Sequence, residues 1–218
     1  MKYRLEWNYR LKGNANVQCS CEWVTGEIAL QIGEELEKSG KITDLFFYDE
    51  MGTSWILKEM KKLLIEIEDD PHDIIVYFDG GFQKETNQAG LGAVIYYKQG
   101  KKKYRIRSNE RFDEMETNNE AEYAAFYYAL TILEDLGVQQ FSCEFKGDSQ
   151  NVLKQLEGEW PCYEATLNLW IDRIEEKLKS LRIKPKYTAI SRNENKEADK
   201  LATQALAGKE IFAKTLIL

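Results

Sequence analysis

The sequence predicts an α/β fold, a mixed sheet with helices on both faces, preceded by a small α+β unit. Three observations carry this. Residues 74–78, Ile-Ile-Val-Tyr-Phe, form an unbroken run with the composition of a strand buried on both faces. Two alternating segments follow it, and then helix-period and strand-period segments take turns to about residue 207. Upstream, the acidic run Glu66-Ile67-Glu68-Asp69-Asp70 closed by Pro71 marks a boundary. The expected organisation is a unit over 1–70, a main domain over 73–207 and a tail over 208–218.

In the first unit, Tyr3, Leu5, Trp7, Tyr9 and Leu11 alternate with polar residues, which predicts a half-buried strand over 2–12. Gly13-Asn14-Ala15-Asn16 supplies a turn, and Val17, Cys19, Cys21 and Trp23 the inward face of a returning strand. A helix is expected from Gly26 to Lys38, with Ile28, Ile32 and Leu36 one turn apart, ended by Gly40. Leu45–Tyr48 reads as a strand, and Ser54 as the cap of a helix running to about Ile67. This β-β-α-β-α unit is small for an independent core. The Tyr3/Trp7/Tyr9 row fits that core better than a platform for bases, because residues 1–72 hold nine basic against fourteen acidic side chains.

In the main domain, Gly90–Tyr97 and Lys102–Ser108 predict strands that turn at Gln99-Gly100. Lys101, Lys103, Arg105 and Arg107 share one face, the concentrated basic surface of the chain; solvated surface and phosphate contact are both open readings. Thr117 to Tyr123 opens a long helix ending near Gly137, and two overlapping capping boxes there leave Glu120 and Glu122 unresolved by spacing. Helical geometry separates them. Glu122 heads the row Ala125, Phe126, Ala129, Leu133, which must face the sheet, whereas Glu120 heads the more polar row Ala124, Tyr127, Thr131, Glu134. Phe141, Cys143 and Phe145 then alternate into Gly147-Asp148-Ser149, where an acid again ends a strand. A short helix over 149–156, an amphipathic helix over 164–181, a strand over 184–190 and a final helix complete the order. Asp199 flanks the apolar face of that last helix.

Composition narrows the function. No apolar run approaches a membrane span and no secretion signal opens the chain, so a cytoplasmic protein without a membrane partner is expected. The four cysteines show no zinc spacing and are expected to be reduced thiols. His72 is the only histidine, which argues against Ser-His-Asp or Cys-His chemistry. The net charge of −7 makes neither half a basic nucleic-acid module, so a polyanion would have to meet a local patch.

A carboxylate that ends a hydrophobic strand is costly unless it is paired, hydrogen-bonded or bound to a metal. Gly80 and Gly81 after Asp79 are expected to let the backbone turn and to open space beside that carboxylate. Asp79 and Asp148 at strand exits, with Glu122 and Asp199 at helix starts, can converge on one edge of the sheet. Converging carboxylates repel unless cations hold them together. An oxygen-only donor set suits Mg2+ or Mn2+, and two such ions offer a route to phosphodiester cleavage. No organic cofactor is expected, and the oligomeric state is left open.

Phe78-Asp79-Gly80-Gly81, Thr117-Asn118-Asn119-Glu120-Ala121-Glu122-Tyr123, Gly147-Asp148-Ser149 and the stretch from Arg192 to Ala202 together resemble the four motifs of type 1 ribonuclease H. More narrowly, the chain resembles that family's bacterial reverse-transcriptase-like branch, over about Asp73–Ala207. The resemblance implies a five-stranded mixed sheet flanked by helices. It makes Asp79, Glu122, Asp148 and Asp199 the ligands of two Mg2+ or Mn2+ ions. The implied activity is cleavage of the RNA strand of RNA–DNA hybrids, a choice that the 2′-OH permits. Gly80, Gly81, Asn118, Asn119, Ser149, Arg192 and Asn195 become candidate substrate contacts, and the basic row adds Lys103 and Arg105.

Three features depart from the family's pattern. The loop before the last acid holds Arg192 and Glu194 where many members have a histidine. Lys84-Glu85-Thr86-Asn87-Gln88 replaces a glycine-containing turn, and Glu157-Gly158-Glu159-Trp160-Pro161 stands where a basic handle is common. Two other functions therefore stay in play: a nuclease for another substrate such as double-stranded RNA, and a non-catalytic nucleic-acid-binding module. Four intact acids argue against the second.

Overall fold

The computed structural model describes residues 2–12, 15–139 and 141–217, which fall into two units, Met1–Asp69 and Asp70–Leu218. In the first, β1 (Lys2–Arg10) pairs antiparallel with β2 (Asn16–Ser20), with the two-residue β3 (Val24–Thr25) and with β4 (Ile42–Asp49). β4 also pairs with β5 (Ser54–Trp55). Helices α1 (Gly26–Lys38) and α2 (Leu57–Asp69) bury Tyr3, Leu5 and Phe47 against Ala29, Leu57 and Met60. Tyr3 is thus core, with Trp7 packed partly buried beside it.

Several local expectations change in this unit. Val17 and Trp23 are 46% and 42% exposed instead of inward, because the buried cluster is built on β1 and β4. On α1, Ile32 and Leu36 pack half-buried against the core as expected, but Ile28 is exposed and the fully buried residues are Ala29 and Gly33. A Cβ on Gly33 would strike the Phe47 ring, so this glycine sets how closely the helix lies. Ser54 caps nothing: it sits in β5, and the Glu59 carboxylate instead accepts the Ile56 N–H at 3.0 Å ahead of α2. α2 continues through the expected linker to Asp69. Gly13 and Asn14 of the expected turn lie outside the described residues.

In the second unit, β6 (His72–Gln83), β7 (Gln88–Gln99), β8 (Lys102–Phe112), β9 (Ser142–Gly147), β10 (Lys184–Ala189) and β11 (Phe212–Ile217) form one sheet in the order β10-β9-β6-β7-β8-β11. β9 is parallel to β6 and to β10, and the other pairs are antiparallel, so the sheet is mixed. α3 (Asn118–Asp135), α4 (Gln150–Leu156) and α5 (Ala165–Ser180) close the main core over Val76, Phe78, Ile95 and Phe145. α6 (Lys196–Leu206) covers part of the opposite face.

The sheet has six strands where five were expected, because part of the expected tail is β11, paired with β8 from Phe212↔Ser108 to Ile217↔Lys103. Asn109 fixes the approach: its Nδ2 donates to the Leu201 and Lys209 carbonyls, both at 2.9 Å, and its Oδ1 accepts the Ile211 N–H at 2.7 Å. The added strand covers what would be an unpaired edge of β8.

β6 does not turn at its glycines. It runs on to Gln83, with Gly80 opposite Leu91 and Gly81 opposite Gly90. What Gly80 allows is close approach, since a Cβ there would strike the Ala121 carbonyl of α3. Gly92 does the same for α6, where the obstacle is the Ala198 carbonyl. No helix among the described residues is long and apolar enough to cross a membrane.

Candidate metal centre

β6 and β9 run parallel and adjacent as far as Tyr77↔Lys146. Asp79, which lies inside β6 and not at the strand exit expected for it, and Asp148, just past the end of β9, therefore arrive at the same level. α3 passes against Gly80 and brings Glu122 to the same point. One carboxylate oxygen from each of Asp79, Glu122 and Asp148 lies within 4.8 Å of the others. Asp79 and Glu122 are 7% and 8% exposed.

Asn195, 1% exposed just before α6, stands between two of these acids. Its Nδ2 donates to Asp79 Oδ1 (3.2 Å), Asp148 Oδ1 (3.0 Å) and the Phe78 carbonyl (2.9 Å). An amide nitrogen has two hydrogens, so three acceptors share them. The Gly80 N–H donates to the Glu122 carboxylate, while Glu122 Oε2 is buried without a partner among the described residues.

Burial and like charge act together here. Burial, then the Asp148 and Asp199 charges, pushes the Asp79 carboxyl up to about 7. Burial, then Asp79 and Asp148, raises the Glu122 carboxyl well above the usual range. Asp199, in the first turn of α6, lies outside the three-acid group but bears on Asp79 through its charge. Its Oδ1 is 3.3 Å from the exposed Arg192 guanidinium, whose own pKa Asp199 raises, with Asp148 and Asp79 adding to the effect.

This donor set fits a hard divalent cation. It is all oxygen, it brings three acids within 4.8 Å of one another, two of them buried, and among the described residues it leaves Glu122 Oε2 unsatisfied. Such sites suit Mg2+ or Mn2+.

The structure separates the two glutamates by their partners. Glu120 is also buried, contrary to the polar row expected for it, because Trp170 of α5 lies over it. Its Oε1 accepts Trp170 Nε1 at 3.1 Å, its Oε2 accepts the Glu116 N–H at 2.9 Å, and its N–H is capped by Thr117. Glu120 is therefore fully engaged in holding the start of α3.

The other candidate residues distribute unevenly. Gly81 and Ser149 are half-buried beside the acids, and Asn118 and Asn119 are exposed in the turn of α3 before Glu122. Ser149 makes no side-chain cap bond, and Asp148 accepts from Asn195. Lys103 and Arg105 lie on β8, two strands from β6, and Arg105 and Arg107 are tied to Glu197 at 3.4 and 2.8 Å. Glu197 gave no sign in the sequence of this partnership, since its partners lie some ninety residues upstream. Lys154, in the last turn of α4, bridges Glu157 (3.1 Å) and Glu159 (2.8 Å) of the following loop, where Trp160 and Tyr163 are exposed.

The family model described as "Reverse transcriptase-like" matches residues 77–205. "Uncharacterized protein YpeP" of Bacillus subtilis (strain 168) is 44% identical over 216 residues, covering 99% of this chain and 95% of that protein. Ribonuclease HI of Halobacterium salinarum is 33% identical over 130 residues, 60% of this chain and 62% of its own length. The crystal structure of RNase H1 from Halobacterium salinarum NRC-1 matches with a TM-score of 0.54 at 32% identity, over 62% of this chain and 98% of that one. LC11-RNase H1, solved in complex with an RNA/DNA hybrid, matches with a TM-score of 0.54 at 27% identity, over 62% of this chain and 98% of its own. With the fold, the acid cluster and a family match that spans the second unit from Tyr77 to Ala205, the chain belongs to the reverse transcriptase-like, ribonuclease H-type family.

Proposed function

We propose that this chain is a divalent-metal-dependent endoribonuclease that hydrolyses the RNA strand of RNA–DNA hybrids. The observation that carries the reading is the convergence of Asp79, Glu122 and Asp148 within 4.8 Å, with Asp199 acting on Asp79 from α6. These four acids would hold two Mg2+ or Mn2+ ions. Bound there, such ions supply Lewis-acid activation of the attacking water and stabilise the departing oxygen.

The chain's own residues prepare the site. Asn195 holds Asp79 and Asp148 in register, and the Gly80 N–H orients Glu122. Arg192, exposed and adjacent to Asp199, is placed to meet a phosphate at the rim. Asn118 and Asn119, exposed one turn before Glu122, are the candidate contacts to the sugar-phosphate backbone. The hybrid as substrate is supported by the relative solved with an RNA/DNA hybrid.

A strand-labelled panel tests the substrate. With Mn2+ or Mg2+, the RNA strand of a hybrid should be cut while its DNA strand and double-stranded RNA survive. Preferential cutting of double-stranded RNA would keep the nuclease and overturn the hybrid assignment.

A further inference from the structure

The sheet face that carries α6 is covered by that helix only toward the acids, where Ala198 and Ala202 lie over Gly92 and Gly90. The core helices α3, α4 and α5 pack on the other face. Just before the level of Asp79 on the same face, Tyr77 and Tyr96 stand edge to face on adjacent strands, ring centres 5.9 Å apart and both half-exposed. Lys146 Nζ lies 5.6 Å from the Tyr77 ring centre. Lys103, Arg105 and Arg107 flank the tyrosines on β8, and the exposed Lys184 and Lys186 extend the cationic border to β10.

The acids on this area are already engaged. Asp73 pairs with Lys98 at 2.7 Å, Glu144 accepts Thr188 at 2.8 Å and pairs with Lys186 at 3.3 Å, and Glu197 holds Arg107 at 2.8 Å. Glu194 accepts the Ser191 hydroxyl at 2.6 Å. Lys103 and Lys184 form no ion pair among the described residues, so positive charge is left over in a chain of net −7. Along β6, Tyr77 points to the same face as Asp79 two residues on, roughly 7 Å away. A cleft lined by Tyr77, Tyr96, Glu194, Asn195 and Glu197 lies beside them, and Asn195 in its wall donates to Asp79 Oδ1 at 3.2 Å.

We propose that this open sheet face binds single-stranded nucleic acid next to the metal centre. Its cations match a phosphate backbone, and its tyrosines address base faces, which a duplex hides and a single strand presents. The tyrosine pair distinguishes this from a plain phosphate patch. The assignment goes beyond hydrolysis and does not depend on it.

The test is fluorescence anisotropy of a labelled oligouridylate strand with the full chain in chelator, titrated with NaCl. Lys103→Gln/Lys184→Gln should flatten the slope of log K against log salt by about 1.4, two contacts at about 0.7 each. Tyr96→Leu should weaken binding about five- to tenfold with the slope unchanged, since stacking releases no counterion. Wild-type affinity and slope in both variants would overturn the proposal, as would failure of the wild type to bind the strand. Displacement of the strand by polyglutamate as readily as by unlabelled oligouridylate would overturn it in favour of an acidic protein partner. Hybrid cleavage in Mg2+ is read separately, so a protein that cuts hybrids but ignores the single strand loses this proposal and keeps its catalytic one.

Discussion

Asn195 Nδ2 lies 3.0 Å from Asp148 Oδ1, and the same nitrogen is 3.2 Å from Asp79 Oδ1. One neutral donor therefore spans two acids that repel each other. Asn195→Asp would replace it with a buried charge. In chelator this variant should lose about 3 kcal/mol or more of stability, because the new carboxylate has no compensating partner. With Mg2+ or Mn2+ the loss should shrink. Thermal melts in the two conditions read the difference, and an equal loss in both would show that Asn195 serves packing alone.

The partners of the two glutamates lead to opposite outcomes. Glu122→Gln should abolish hybrid cleavage while leaving metal-free stability unchanged or higher, since it replaces a carboxyl whose ionisation burial and the neighbouring acids oppose. Glu120→Gln keeps an acceptor for Trp170 and should cost about 1 kcal/mol with cleavage retained. Parallel urea melts and cleavage assays decide; the reverse pattern would reassign the ligand.

Asp79 sets a pH dependence with a definite sign. Its carboxyl is raised from 3.8 to about 7, chiefly by burial, so the metal-free folded protein keeps a proton that the unfolded chain loses near pH 4. Between about pH 4 and 7 the folded state binds more protons, and this group's contribution to stability falls as pH rises; above about 7 it levels off. Asp79→Asn removes that term. In chelator, the variant should therefore gain on the wild type in urea midpoint between pH 5 and pH 8. A pH-independent gap between the two would contradict the raised carboxyl.

The acids were legible because two of them end hydrophobic runs: Val76-Tyr77-Phe78 before Asp79, and the Phe141/Cys143/Phe145 alternation before Asp148. Glu122 was legible from the row of apolar residues that it heads. The burial of Glu120 was not, because Trp170 reaches it from another helix fifty residues on. β11 was hidden for a similar reason, as a short segment becomes a strand only beside the edge of β8 a hundred residues upstream. On α1, Ile32 and Leu36 pack against the core as read, but Ile28 does not, because Ala29 and Gly33 attract no notice in a hydrophobic pattern, yet the missing Cβ of Gly33 is what admits Phe47.

Cleavage of a hybrid with a labelled RNA strand, by the wild type and by Asp148→Asn, tests the central claim most directly. Asp148→Asn preserves size and removes one carboxylate from the three-acid group. The wild type should cut the RNA in Mg2+ or Mn2+ and stop in chelator, and the variant should be at least about a hundredfold slower. Undiminished cleavage by the variant, or by the wild type in chelator, would contradict a metal centre built on these acids.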